Sequence, residues 1–243
     1  MKMLTFAKRN AREILRDPIN LGFGIGFPLV LLLLLSAIQA NVPVPLFEID
    51  HLTPGVAVFG LSFVTLFSAT LIARDRGSAL LQRLYTTPLR PVDFILGYTL
   101  PILPLALAQS AVCYAIALLL GLSVTPNILL SLLFMLPSAV LFIALGLLFG
   151  SILGDKAVGG VCGALLTNLS AWLSGTWFDL ELVGGVFREI AYLLPFVHAV
   201  ELSRTALRGE FSAVLPHLFW VLGYAVAFFL LAVVLFLRQM RKQ

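Results

Sequence analysis

Six apolar runs, each long enough to cross a hydrocarbon core about 30 Å thick, divide this chain at Ile19–Ala40, Pro54–Ala73, Phe94–Leu120, Ile128–Leu153, Ala157–Phe178 and Leu215–Leu237. Hydrophobic residues make up 60% of the chain and charged residues only 12%, with a mean hydropathy of +1.03. A soluble domain carries about twice that charge. The expected fold is an all-α integral membrane bundle of six transmembrane helices, one domain filling residues 1–243. Lys2, Lys8, Arg9, Arg12 and Arg16 precede the first run in the outline of a signal peptide, but the apolar stretch is too long for one.

Lys and Arg set the expected orientation. The amino terminus, the Arg74–Pro91 loop, Lys156 and the tail Arg238, Arg241 and Lys242 hold thirteen of the sixteen, which places both termini in the cytoplasm. The other side keeps Arg188, Arg204 and Arg208 among Glu48, Asp50, Asp179, Glu181, Glu189, Glu201 and Glu210. The net charge of +4 therefore reports topology rather than nucleic-acid binding.

Missing residues narrow the function further. The middles of the spans have no Asp, Glu, Lys, Arg or His, the groups that mark proton relays and ion pathways. Gly154-Asp155-Lys156 lacks the spacing and the hydroxyl of a phosphate loop, and H-E-x-x-H, G-x-S-x-G and paired acids on one helical face do not occur. Leu173-Ser174-Gly175 matches the start of an ATPase signature only by chance, given the Thr176-Trp177 that follows. Cys113 and Cys162 fall inside spans without metal-ligand spacing, where a thiol acts as a small apolar group. The chain is expected to have no enzyme site, metal or cofactor of its own.

Residues 1–17 read as an amphipathic interfacial helix lying on the cytoplasmic leaflet, with Leu4, Ala7, Ala11 and Ile14 opposite Lys8, Arg9, Arg12 and Arg16. Residues 179–214 form the longest outer loop, and its apolar stretch interrupted by Gly184, Gly185 and Pro195 predicts re-entrant helices. His198, Glu201, Arg204 and Arg208 follow at helical spacing. His198 with Glu201 has the spacing for a metal or a proton relay, and a surface ion-pair cluster at the headgroups is the simpler reading. Gly22 with Gly26 and Gly159 with Gly163 repeat at four residues, the spacing for close helix approach within one copy or between two. Asn168, Ser170 and Ser174 are the polar candidates for a pathway lining, or simply bond neighbouring helices. Trp172 and Trp177 read as interfacial belt residues.

Between the second and third runs lies Arg74-Asp75-Arg76-Gly77-Ser78-Ala79-Leu80-Leu81-Gln82-Arg83-Leu84-Tyr85-Thr86-Thr87-Pro88-Leu89-Arg90-Pro91. Leu80, Leu81, Leu84 and Tyr85 share a helical face, Arg76 and Arg83 lie off it, and Pro88 stops the helix. A short helix with an exposed apolar stripe points to a docking partner.

With Asp93-Phe94-Ile95-Leu96-Gly97 after it, this segment closely resembles the second cytoplasmic segment of type-2 ABC transporter permeases. Asp17-Pro18-Ile19-Asn20 and Leu194-Pro195-Phe196-Val197-His198-Ala199-Val200-Glu201 support the resemblance, which covers essentially the whole chain. The family implies a coupling helix at residues 77–87. Arg76, Gly77, Leu80, Leu81, Arg83, Leu84, Tyr85, Thr86, Thr87, Pro88 and Arg90 would then contact a cytoplasmic ABC ATPase subunit. It also implies two copies of that ATPase, which carry the ATP and Mg, and a second permease, here a homodimer through Gly22, Gly26, Gly159 and Gly163. One departure stands out: many relatives have Glu where Ser78–Leu81 is small and apolar. The implied function is export, across the plasma membrane of a prokaryote, of an apolar or amphipathic drug, lipid or lipid-linked glycan. The competing reading is a non-transporting membrane scaffold or sensor that uses the same docking helix, or a channel.

Overall fold

The computed structural model describes residues 2–42, 44–78 and 91–240, and among them every regular element is helical. Helix α1 (Lys2–Leu15) is amphipathic and ends just before Pro18. Pro18 opens α2 (Pro18–Asn41) at its first position, where no amide hydrogen is needed, and Asp17 caps the helix by accepting from the Asn20 amide at 3.2 Å. Helix α2 buries Gly24, Pro28, Leu32 and Leu35 along one stripe and leaves the rest of its mostly apolar surface half-buried or exposed, as a lipid-bathed span permits.

A short turn at Pro45–Phe47 leads to α3 (Ile49–Gly77), the axis of the bundle, which is buried over most of its length. It packs against α2, α4 (Pro91–Leu119) and α5 (Asn127–Ile152). Helices α3 and α5 cross closely. A Cβ added at Gly146 would lie 2.5 Å from Ser68 Cβ, and one at Gly150 would lie 2.7 Å from the Ala69 carbonyl oxygen. Gly146 and Gly150 are spaced as a small-residue motif, and they, rather than the four glycines singled out from sequence, set a close helix approach inside the chain.

Five uninterrupted α-helices among the described residues are long and apolar enough to span a membrane. The fifth expected run, Ala157–Phe178, is instead built from α6 (Asp155–Val158), a π-helical segment (Gly159–Leu166) and α7 (Thr167–Trp172). Gly159, Gly160 and Gly163 weaken the α-helical preference, and Thr167 Oγ1 bonds the Cys162 carbonyl five residues back at 2.9 Å, reinforcing the wider turn. The helix stops at Trp172, because Gly175 takes φ +67 and Ser174 Oγ turns to Thr176 Oγ1 at 2.7 Å. The segment after Asp179 folds into α8 (Leu180–Val183), α9 (Gly185–Leu193) and α10 (Pro195–Arg208), followed by α11 (Phe211–Met240). Helix α10 is not a surface element: it is packed among α3, α5 and α11 and is buried along most of its length.

Candidate functional site

Most of the segment expected to dock, including Leu80, Leu81, Arg83, Leu84, Tyr85, Thr86, Thr87, Pro88 and Arg90, lies outside the described residues. Its two roots are well defined. Residues Arg74 to Gly77, read from sequence as loop, are the last turn of α3, and Ser78 closes that turn through Oγ to the Asp75 carbonyl at 2.9 Å. Pro91 starts α4 on the far side.

Three consecutive side chains at the first root reach five other helices. Arg74 makes ion pairs with Asp17 at the start of α2 (3.8 Å) and Asp155 at the start of α6 (3.5 Å). Arg76 Nη1 donates to the Gly150 and Leu153 carbonyls at 2.7 and 3.2 Å, capping the C-terminal end of α5 where the helix dipole favours a cation. Asp75, between them, points inward and is 2% exposed. Its Oδ2 accepts from Arg9 Nη1 of α1 at 2.6 Å and from the Tyr98 hydroxyl of α4 at 2.9 Å.

Helix α1 is tied to the second root as well. Asn10 is fully buried and donates from Nδ2 to the Gly97 carbonyl at 3.0 Å, while its Oδ1 accepts from Arg9 Nη1 at 2.8 Å. Phe6 sits edge-on to Tyr98 and Phe94, with ring centroids 5.0 and 5.8 Å apart, and lies so close to Gly97 that a Cβ there would be 2.3 Å from its ring. Burial alone would lower the Arg9 pKa, but the hydrogen bond and charge of Asp75, with Glu13 behind them, outweigh it and hold the guanidinium above its ordinary value.

The sequence reading missed parts of this cluster. The buried face of α1 carries Phe6, Ala7 and Asn10, whereas Leu4, assigned to that face, is 61% exposed, and Arg9, assigned to the solvent face, bonds inward. Helix α1 is thus docked on the α3 and α4 ends rather than lying only on a leaflet. The available signal was Asn10, the one uncharged polar side chain at helical spacing from Phe6 and Ile14.

The other candidates are dispersed. No heavy atom lies within 4 Å of a Cβ built at Gly22, Gly26 or Gly159, and Gly163 meets only Leu66 at 3.4 Å, so these faces take little part in packing within the chain. Asn168 is exposed and bonds back to the Ala164 carbonyl at 2.8 Å, while Ser170 and Ser174 are buried and each bonds the carbonyl three residues back at 2.9 Å. The three do not share a face.

His198 does not meet Glu201. Its Nε2 donates to the Tyr192 carbonyl at 2.8 Å, so in the neutral ring Nδ1 accepts from His217 Nδ1 at 2.8 Å, and the ring stacks on Trp220. Glu201 pairs instead with Arg204 at 2.5 Å, and Arg204 is 3% exposed rather than at a headgroup surface. No group of three or more His, Cys, Asp or Glu gathers as a metal site among the described residues.

No curated protein matches the chain. Residues 1–207 of the 243 match the family described as ABC-2 type transporter. That match spans the amphipathic helix, the Asp75 cluster and α10 up to Leu207, and the chain accordingly belongs to the ABC-2 type transporter family, as a multi-pass membrane permease subunit.

Proposed function

We infer that the chain is the permease half of an ATP-driven exporter, with residues 77–87 docking on a separate cytoplasmic ATPase and both termini on that side. The observation carrying this reading is the convergence of α1, α2, α4, α5 and α6 on Arg74, Asp75 and Arg76, at the root of the docking segment. A displacement delivered to residues 79–90 enters a turn bonded to five helices, so it moves the bundle rather than one hairpin. The cargo is an apolar or amphipathic molecule, since the spans lack charges at their centres.

A second copy of the chain completes the pathway. The open small-residue faces of Gly22, Gly26 and Gly159 support contact between copies. Cysteines placed at Gly22 or Gly159 are expected to cross-link between protomers; cross-links confined to single chains would overturn the dimer face.

The docking reading is tested by replacing Leu81 and Leu84 with Asp. Recovery of the ATPase with the purified permease is expected to fall at least about tenfold, as for loss of an apolar hot spot, with the thermal unfolding of the permease unchanged. Full recovery would sink the assignment.

A further inference from the structure

The end of α3 remote from Asp75 borders a cavity of about 670 Å³, walled by the Pro45–Phe47 turn, the Gly175–Leu182 segment and α10. This is the size of a site for a small ligand or a lipid headgroup. Its polar lining includes His51, Arg204 and Arg208, and its apolar lining includes Phe47, Phe178 and Leu182.

The hydrogen bonds among the three basic side chains are incomplete in one direction. Arg208 Nη2 lies 2.8 Å from His51 Nδ1, and since a guanidinium only donates, Nδ1 accepts and the neutral imidazole carries its hydrogen on Nε2. That Nε2 is buried with no hydrogen-bond partner among the described residues. Arg204 spends Nη1 on Glu201 and Nε on the His51 carbonyl at 3.2 Å, and its Nη2 is likewise buried with no partner among the described residues. Two unsatisfied donors thus sit on adjacent residues of one cavity, beside an Arg208 whose hydrogen-bond partner is a neutral ring. A buried donor left unpaired is costly, and an anion, which only accepts, satisfies several such donors at once.

We propose that this cavity binds a phosphate group carried on an amphiphile, with the phosphate on Arg204, Arg208 and His51 and the apolar part along Phe47, Phe178 and Leu182. Phosphate has oxygens enough for all three donors and suits the guanidinium fork. The acids nearby argue for one phosphate rather than a polyanion: Glu201 is neutralised by Arg204, and Asp179 Oδ1 is occupied by the Glu181 amide at 2.8 Å, but Glu48 and Asp179 keep negative charge in the lining. A hydroxyl or ammonium group next to the phosphate would face them. As a cargo site the cavity rests on the exporter reading above; as a binding site it does not.

The test uses the full chain in a maltoside detergent free of phosphate, titrated with dioctanoyl phosphatidylglycerol, dioctanoylglycerol, glycerol phosphate and inorganic phosphate, and followed by native mass spectrometry. Saturable binding of the phosphatidylglycerol is expected, weakened at least about tenfold by Arg208→Gln, which deletes one charge-assisted contact. Dioctanoylglycerol is expected not to bind. Glycerol phosphate or inorganic phosphate binding as tightly as the lipid would assign the same basic site to a soluble phosphate and overturn the amphiphile. Equal binding of dioctanoylglycerol, or an unchanged affinity in Arg208→Gln, would overturn the site. Arg208 is exposed, so this variant is expected to fold, and Arg204→Gln serves as the second probe. No ATPase is required, so a failed titration leaves the exporter reading standing, and failed ATPase recovery leaves this site standing.

Discussion

The two ends of α3 carry opposite kinds of polar network. At the Asp75 end, Arg9, Asp75 and Arg76 are matched to acceptors or donors on neighbouring helices, and the carboxylate at the centre is buried with two partners. At the His51 end, about 35 Å away along the helix, Arg204 and His51 each keep a buried donor with no partner among the described residues, beside a cavity. A satisfied buried network holds one arrangement and transmits force; an unsatisfied one awaits an acceptor. One helix thus joins an end suited to receiving motion to an end suited to receiving a ligand.

The largest expected effect comes from breaking the satisfied end. Asp75→Ala leaves Arg9 and Tyr98 without their shared acceptor and should cost about 3 kcal/mol, the lower range for breaking a buried pair, since Arg9 is partly solvated. Thermal unfolding in detergent measures it, and a change near zero would show that the cluster does not tie α1 to the bundle. Gly97→Val comes next: its Cβ meets the Phe6 ring, and overpacking of this kind costs about 1–3 kcal/mol. Protease sensitivity of residues 2–15 is expected to rise in that variant, because α1 has nowhere to sit. The smallest effect on stability is expected at the other end. Arg208→Gln removes an exposed side chain with no carboxylate partner among its described bonds, and should change stability within about 0.5 kcal/mol while lowering phosphate binding. If Arg208→Gln proved as destabilising as Asp75→Ala, the contrast between the ends would collapse.

Much of this was readable in the residues. The all-helical membrane class, five of the spans and the break at Pro18 follow from apolar run length and from proline chemistry, both local properties. Hydropathy does not register helix type: the fifth run is helical from Asp155 to Trp172, yet its backbone widens to a π turn over Gly159–Leu166. Arg74 to Gly77 were read as loop because charges beside an apolar run mark a membrane boundary, whereas the helix continues through them and uses them to hold its neighbours.

The site separates the same way. Composition and periodicity by themselves determined that this chain spans a membrane as helices and that the middles of its apolar runs carry no charged residue. Only the tertiary structure decided that Asp75 is buried between Arg9 and Tyr98, that Gly146 and Gly150 rather than Gly22 and Gly159 carry the close crossing with α3, and that Arg204 lies inside the bundle. The reason is that burial and hydrogen-bond partnership belong to pairs of residues far apart in the chain, such as Arg9 with Asp75 or His51 with Arg208, and no local pattern encodes which distant partner a side chain will meet.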